Sequence, residues 1–197
     1  MIIEDLLLSY GADYKDYDTN DIIFAEGDKP SYYFQILKGK IKINNYNDQG
    51  KEFIQGIVST GGSPVVSVLF TERSYPVNAI AFEDCRLLRL PKQHFFDLLK
   101  EKPDLYEKIL SCISENMYYK YIMMQTMSFQ SPENKLKTLM NYLKGHHENK
   151  SQYSYQIPFT RQQLASLTGL SVETVIRVTK SMEKNEVLKI KNRKIFY

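Results

Sequence analysis

Residues 160–180, TRQQLASLTGLSVETVIRVTK, restrict the possible folds of this chain more than any other segment. Their apolar residues recur every three or four positions, which predicts two short helices joined by a turn. Thr160 is a good N-cap for the first helix, and Gln163 completes the spacing of a capping box. Gly169 stands where the chain must reverse, because a left-handed backbone costs glycine little. Ser171 supplies the corresponding N-cap for the second helix.

This spacing is typical of a helix-turn-helix, whose second helix enters the major groove of DNA. Small Ala165 lets the two helices cross closely, and Val175 and Val178 face back towards Leu164 and Leu170. An ordinary hairpin within a helical domain is the alternative interpretation. Polar residues on the outward face of the second helix favour DNA binding.

Charge is distributed unevenly along the chain. Residues 1–130 hold 14 Lys and Arg against 18 Asp and Glu, a net charge of −4. Residues 131–197 hold 12 against 5, a net charge of +7. A basic segment that coincides with the helix-turn-helix is expected where one end of a protein binds nucleic acid.

Composition excludes several other classes of protein. Of the 197 residues, 43% are hydrophobic, and no apolar run approaches the roughly 18–20 residues of a membrane span. The first residues carry early acids without a basic region, so no signal peptide is expected. Cys85 and Cys112 lack pairing or metal-ligand spacing, and the adjacent His146 and His147 lack a third ligand. We therefore expect a cytoplasmic protein without metal or cofactor.

No constellation of residues points to an enzyme. The sequence shows no nucleophile with its base, no paired carboxylates and no phosphate-binding glycine loop. His94 is the one candidate axial ligand for a haem, and a surface or packing role is the preferred interpretation. Two hypotheses stay open: a DNA-binding regulator, and a sensor or interaction module whose helix-turn-helix does not function.

The order of elements predicts two structured regions. A helix over 2–10 ends at Gly11, and short strands separated by turns then fill residues 21–90, as in an antiparallel roll or barrel. Pro91 falls in the first turn of a helix that buries Phe95, Leu98 and Leu99.

Further helices and strands follow that region. Ser131 and Pro132 start a helix that ends at Gly145, and residues 153–158 form a short strand. Residues 187–190 and 194–197 form a final hairpin, or wing.

A long helix over residues 103–127 carries an apolar stripe at three-to-four spacing. A long stripe of this kind needs a partner, and a second copy of the chain is the simplest one. Packing only within its own subunit is the alternative. The residues predicted to form the dimer contact are Ile109, Ile113, Met117 and Met124.

A β-roll, a long helix and a winged helix-turn-helix in this order resemble the family of the cyclic-AMP receptor protein and the fumarate-nitrate regulator. Residues 160–177 resemble the family signature T-R-x-x-[LI]-A…G-x-[ST]-x-E-T-[VI]-x-R, and Glu26-Gly-Asp and Ile36-Leu-Lys-Gly resemble its roll turns. The resemblance implies an α+β fold. Its expected parts are a β-roll sensor domain over 1–102, a dimerisation helix over 103–128 and a DNA-binding domain over 129–197.

The resemblance also implies a homodimer that reads a palindromic site in double-stranded DNA, with RNA polymerase as a candidate partner. Glu173 and Arg177 match the base-reading residues of the family, and Val172, which replaces an Arg of the cyclic-AMP branch, could meet a thymine methyl. An ion pair between Glu173 and Arg177 is the structural alternative. The residues expected to hold phosphates are Thr160, Arg161, Gln162, Ser171, Thr174, Lys191 and Arg193.

The sensing half departs from the family pattern. Where the family's phosphate cassette has a Glu and an Arg for the cyclic nucleotide, this chain has Val65 and Tyr75. Arg73 and Ser74 fit the Arg-Ser positions only after a two-residue shift. Without the ionic clamp, cyclic AMP is not the expected ligand. An unknown small-molecule effector and no effector at all both stay open. The residues of this candidate pocket are Gly62, Ser63, Val65, Arg73, Ser74 and Tyr75.

Overall fold

The computed structural model describes residues 2–129, 131–145 and 147–197. The chain forms two compact units, residues 1–117 and 118–197. One long helix contributes its first half to the N-terminal unit and its second half to the C-terminal unit. The fold is α+β, as the sequence predicted.

The N-terminal unit is an antiparallel β-roll. Two sheets build it, with strand orders β1-β7-β3 and β2-β6-β4-β5, and every strand pair is antiparallel. A short 3-10 helix (Val66–Phe70) lies between β5 and β6. The bounds of the elements are α1 (Glu4–Ser9), β1 (Asp13–Tyr17), β2 (Ile22–Phe24), β3 (Tyr32–Lys38), β4 (Lys40–Tyr46), β5 (Glu52–Ser59), β6 (Asn78–Ala81), β7 (Cys85–Pro91) and α2 (Lys92–Glu101).

Helix α2 covers one part of the roll core. Phe95, Leu98 and Leu99 are fully buried, as predicted, and the Phe95 ring stacks on Tyr33 with 4.4 Å between ring centroids. The position of Pro91 differs from the prediction. Its extended backbone (ψ 138°) makes it the N-cap of α2 as well as the last residue of β7, so the first helical residue is Lys92.

The long helix, α3 (Leu105–Phe129), begins and ends two residues later than predicted. Its first turns belong to the core of the N-terminal unit, where Leu105 and Ile109 are buried against α1, α2 and the 3-10 helix. Little of the Ile109 side chain is left exposed for the predicted dimer contact, because it already packs within its own unit. Ile113 is half-buried, whereas Met117 and Met124 are exposed.

The C-terminal unit contains a helical core and a small sheet. Helices α4 (Pro132–Gly145), α5 (Arg161–Thr168) and α6 (Val172–Lys184) pack together, and strands β8 (Lys189–Lys191) and β9 (Lys194–Phe196) form the predicted wing. Residues 153–158 do not form the full strand that was predicted. A single bridge joins Gln156 to Phe196, with main-chain hydrogen bonds on either side of it.

Candidate nucleic-acid interface

The two helices of the helix-turn-helix begin at the predicted caps. The Thr160 hydroxyl accepts a hydrogen bond from the Gln163 N–H at 3.1 Å, and the Gln163 side chain accepts one from the Thr160 N–H at 2.8 Å. The Ser171 hydroxyl accepts from the Thr174 N–H at 3.2 Å. Gly169 ends α5 with φ 69° and ψ 13°, the left-handed conformation that the turn requires. These local contacts fix where α6 starts.

Helix α6 has one buried face and one outward face. Val175, Thr179 and Met182 are buried, and the Thr179 hydroxyl donates to the Val175 carbonyl at 2.8 Å. The outward residues follow at spacings of three, four and seven, which places them along one side of the helix. They are Glu173, Ile176, Arg177 and Lys180, and all four are exposed.

Glu173 and Arg177 are both available to a partner. Among the described residues, no ion pair joins the two side chains, so the structural alternative is absent from this conformation. Hydrogen bonds from the Glu173 N–H and the Ser171 hydroxyl lower the pKa of the exposed Glu173 carboxyl, which keeps it charged. Val172, at the first turn, is half-buried. An outward acid and an outward guanidinium can accept from a base edge and donate to one, respectively.

The predicted phosphate contacts divide into three groups. Gln162, Ser171 and Thr160 are exposed at the starts of α5 and α6, where helix N-termini favour anions. Thr174 is half-buried, and its hydroxyl oxygen lies 3.0 Å from that of Ser171.

The third group lies at the wing. Asn192 and Arg193 have positive φ angles of 49° and 64°, as a two-residue type I′ turn requires, and Lys191 is exposed beside them. Arg161 is half-buried, and its guanidinium donates to the main-chain carbonyl of Arg193. Sequence reasoning assigned Arg161 only to phosphate and missed this contact, because the partner is a main-chain atom 32 residues away.

Most basic side chains of the C-terminal unit are not neutralised by acids. Within its described residues, the only ion pair between side chains joins Lys137 to Glu133 on α4, at 2.7 Å. Lys180, Lys184 and Lys191 are exposed on α6 and the wing. Cations without acidic partners can be used to neutralise phosphates.

The cassette region of the roll holds apolar contacts where the family pattern implies ionic ones. Tyr75 is buried and its ring stacks on Phe24, with 3.7 Å between centroids and 12° between planes. Val65 is half-buried against the same cluster, with a left-handed backbone (φ 51°). Arg73 and Ser74 are exposed.

Two further residues of the candidate pocket, Gly62 and Ser63, pack within the roll. Ser63 is buried, and the Gly62 carbonyl accepts a hydrogen bond from the Ile36 N–H at 3.0 Å. A β-carbon at Gly62 would come within 2.5 Å of Val58, which explains the need for glycine. His94 is exposed on α2, and His146 lies outside the described residues.

Comparison with known proteins agrees with this architecture. Residues 14–102 match the family model of the cyclic nucleotide-binding domain, and residues 136–196 match that of the Crp-like helix-turn-helix domain. The transcriptional activator Anr of Pseudomonas aeruginosa is 23% identical over 177 residues, or 89% of this chain and 72% of Anr. The cAMP-activated regulator CRP of Salmonella typhimurium is 24% identical over 176 residues, or 87% of this chain and 83% of CRP.

Solved structures show the same fold. The c-di-GMP responsive global regulator CLP of Xanthomonas campestris superposes with a TM-score of 0.83 and 20% identity, covering 98% of this chain and 96% of CLP. A CooA mutant from Carboxydothermus hydrogenoformans gives a TM-score of 0.84 and 14% identity, covering 100% of this chain and 87% of CooA.

The roll, the long helix and the winged helix-turn-helix together define a DNA-binding transcription regulator. The chain belongs to the CRP/FNR family, that of the cyclic-AMP receptor protein and the fumarate-nitrate regulator. Among the described residues, no helix has the length and apolar character to cross a membrane.

Proposed function

We propose that this protein is a homodimeric regulator that reads a palindromic DNA site with α6. The observation that carries the proposal is the outward face of α6, where Glu173 and Arg177 are exposed and not paired with each other. Glu can accept from cytosine N4, and Arg can donate two bonds to guanine O6 and N7. The exposed cations of α6 and the wing would neutralise the adjacent phosphates.

An exposed apolar seam on α3 supports the dimer. Leu110 and Met117 are seven residues apart and Tyr121 follows four later, so the three side chains share one side of the helix. Leu110 is 60% exposed and Tyr121 62%, although both carry large apolar surfaces. A seam of this length is the contact that two antiparallel or parallel copies of a helix bury. Met124 extends it by three residues.

We assign a separate role to each of three segments of the chain. We assign residues 1–102 to a sensor roll, 103–128 to the dimerisation helix and 129–197 to DNA binding. RNA polymerase is the partner through which such a DNA-bound dimer would act on transcription.

The roll does not suit cyclic AMP. The Tyr75 ring occupies the core at the position where the family pattern has the Arg for the cyclic phosphate, and Val65 replaces the Glu for the ribose. A buried phosphate without a cationic partner would lose its charge-assisted hydrogen bonds. We therefore expect cyclic AMP to change neither the melting temperature nor the DNA affinity. Saturable stabilisation by cyclic AMP would contradict this part of the proposal.

The half-site follows from the relation to the fumarate-nitrate branch, which has Val-Glu-Thr and a later Arg at these positions. We expect inverted repeats of TTGAT to bind more tightly than inverted repeats of TGTGA. Competition between the two duplexes for the purified protein tests this, with a scrambled duplex of the same composition as the control. Equal or tighter binding to TGTGA would overturn the half-site assignment.

A further inference from the structure

Ile176 is an apolar side chain on the surface that the proposed function assigns to DNA. Among the described residues after α3, it is the only large apolar side chain that the fold leaves exposed, at 42%. It lies on the outward side of α6, three residues after Glu173, one before Arg177 and four before Lys180. Its neighbours on that face are the charged Glu173, Arg177 and Lys180 and, one turn earlier, the half-buried Val172.

Folding gives no reason for isoleucine at this position. The buried face of α6 is formed by Val175, Thr179 and Met182, and Ile176 lies outside it. A β-branched side chain is also a weaker helix former than Ala, Lys or Gln on an exposed face. A single exposed apolar residue is ordinary on a protein surface, so Ile176 is of interest because of its place on the side of α6 that the proposed function assigns to DNA.

We propose that Ile176 is a third base-reading residue, which contacts the C5 methyl group of a thymine. The inference rests on the proposed function, since it assumes that α6 enters the major groove. Isoleucine has no donor or acceptor, and the thymine methyl is the apolar group that base edges present in the major groove. Val172 lies one turn earlier on the same side of α6, but it is half-buried. Ile176 therefore takes the methyl-reading role that the sequence alone suggested for Val172.

The test removes the thymine methyl from the DNA and the Ile176 side chain from the protein, first separately and then together. Each thymine of the selected half-site is replaced in turn by deoxyuridine, which lacks only the methyl, symmetrically in both half-sites. Dissociation constants are measured for the wild type, Ile176→Ala and Val172→Ala. At one thymine position, loss of the methyl should weaken the wild type by about three- to fourfold per half-site. The same replacement should leave Ile176→Ala almost unaffected, because its partner is already missing.

Controls separate this role from a general loss of binding. Ile22→Ala removes another exposed isoleucine, in the N-terminal unit, and should show the wild-type response to deoxyuridine. Ile176→Ser serves as a second variant and should repeat the result of Ile176→Ala. Both Ile176 variants should melt as the wild type does, since the side chain is not part of the core.

Three results would overturn the inference while leaving DNA binding intact. The deoxyuridine effects could be the same in the wild type and both Ile176 variants. They could instead disappear only in Val172→Ala, or the selected half-site could contain no thymine. Failure of the wild type to select any sequence would be a different outcome, because it removes the proposed function together with the inference.

Discussion

The guanidinium of Arg161, at the first residue of α5, donates a hydrogen bond to the main-chain carbonyl of Arg193 at the tip of the wing. The pKa of Arg161 lies below its ordinary value because burial lowers it by more than the nearby Glu183 carboxylate raises it. Glu183 also accepts a hydrogen bond from the Ile190 N–H at 2.8 Å. Side chains from α5 and α6 therefore both hold the wing, which places its cations beside the helix-turn-helix.

Arg161→Ala should loosen the wing. A hydrogen bond from a charged group contributes about 1.5–3 kcal/mol, so amide exchange in residues 189–196 should rise by about tenfold or more. Hydrogen exchange followed by mass spectrometry measures this. Arg193→Ala is the matched control, because it keeps the carbonyl that Arg161 contacts. Unchanged exchange in Arg161→Ala would show that this contact does not hold the wing.

Arg177→Ala and Lys191→Ala should weaken DNA binding in different ways. Loss of Arg177 should cost roughly 1–3 kcal/mol at one base pair and relax the preference for that base. Loss of Lys191 should weaken all sequences alike and reduce the dependence of affinity on salt concentration. Titration of a set of single-base variants of the site, at two salt concentrations, distinguishes the two patterns. A uniform loss in Arg177→Ala would assign that residue to phosphate instead.

Leu110→Asp should separate the dimer. A carboxylate at the N-terminal end of an apolar seam must either lose its hydration or keep the helices apart there. Sedimentation velocity should show a dimer for the wild type and a monomer for the variant at the same concentration. Ile3→Asp places the same charge at another exposed apolar residue of the N-terminal unit, and this control should stay dimeric. A dimeric Leu110→Asp would place the contact elsewhere.

Tyr75 should lower the free energy of unfolding as the pH rises above about 10. Its burial, with a smaller contribution from the Asp28 carboxylate, raises the pKa of the phenol above its ordinary value near 10. A raised pKa in the folded state means that the stabilising contribution is complete below pH about 10 and is lost as the pH rises. Between pH about 10 and about 11, urea unfolding should show that Tyr75→Phe loses about 1 kcal/mol less stability than the wild type, because Tyr33 and Tyr119 also have raised pKa values and titrate in both proteins.

The same position gives a test of packing at neutral pH. Tyr75→Phe keeps the ring on Phe24 and should unfold with a similar midpoint. Tyr75→Ala removes the ring and should lower the free energy of unfolding by roughly 3–5 kcal/mol. A small effect of Tyr75→Ala, together with new binding of a nucleotide, would show that the ring only covers a ligand pocket.

Sequence reasoning succeeded where structure depends on short-range chemistry. The capping box of Thr160 and Gln163, the left-handed Gly169 and the cap at Ser171 each require only neighbouring atoms, so spacing alone predicted them. The antiparallel roll was predicted from its turns in the same way.

Prediction was less accurate for α3, where one apolar stripe includes both residues of the roll core and exposed residues. Ile109 and Leu110 are adjacent on α3, yet Ile109 is buried in the roll core and Leu110 is exposed. Periodicity predicts an apolar stripe on the helix, but it does not show which residues of that stripe pack on the roll and which stay exposed. The sequence analysis gave Ile176 no role, because periodicity does not show whether an apolar residue of an amphipathic helix is exposed. Only the exposed fraction of each side chain separates these cases.

The measurement that tests the central claim most directly is unbiased selection of DNA bound by the purified full chain from a random pool. We predict enrichment of an inverted repeat whose half-site centres lie about one helical turn apart, as a dimer that inserts two copies of α6 requires. Enrichment of a single unrepeated half-site would contradict the dimeric reader. Failure to enrich any sequence, with or without cell extract, would contradict sequence-specific regulation itself.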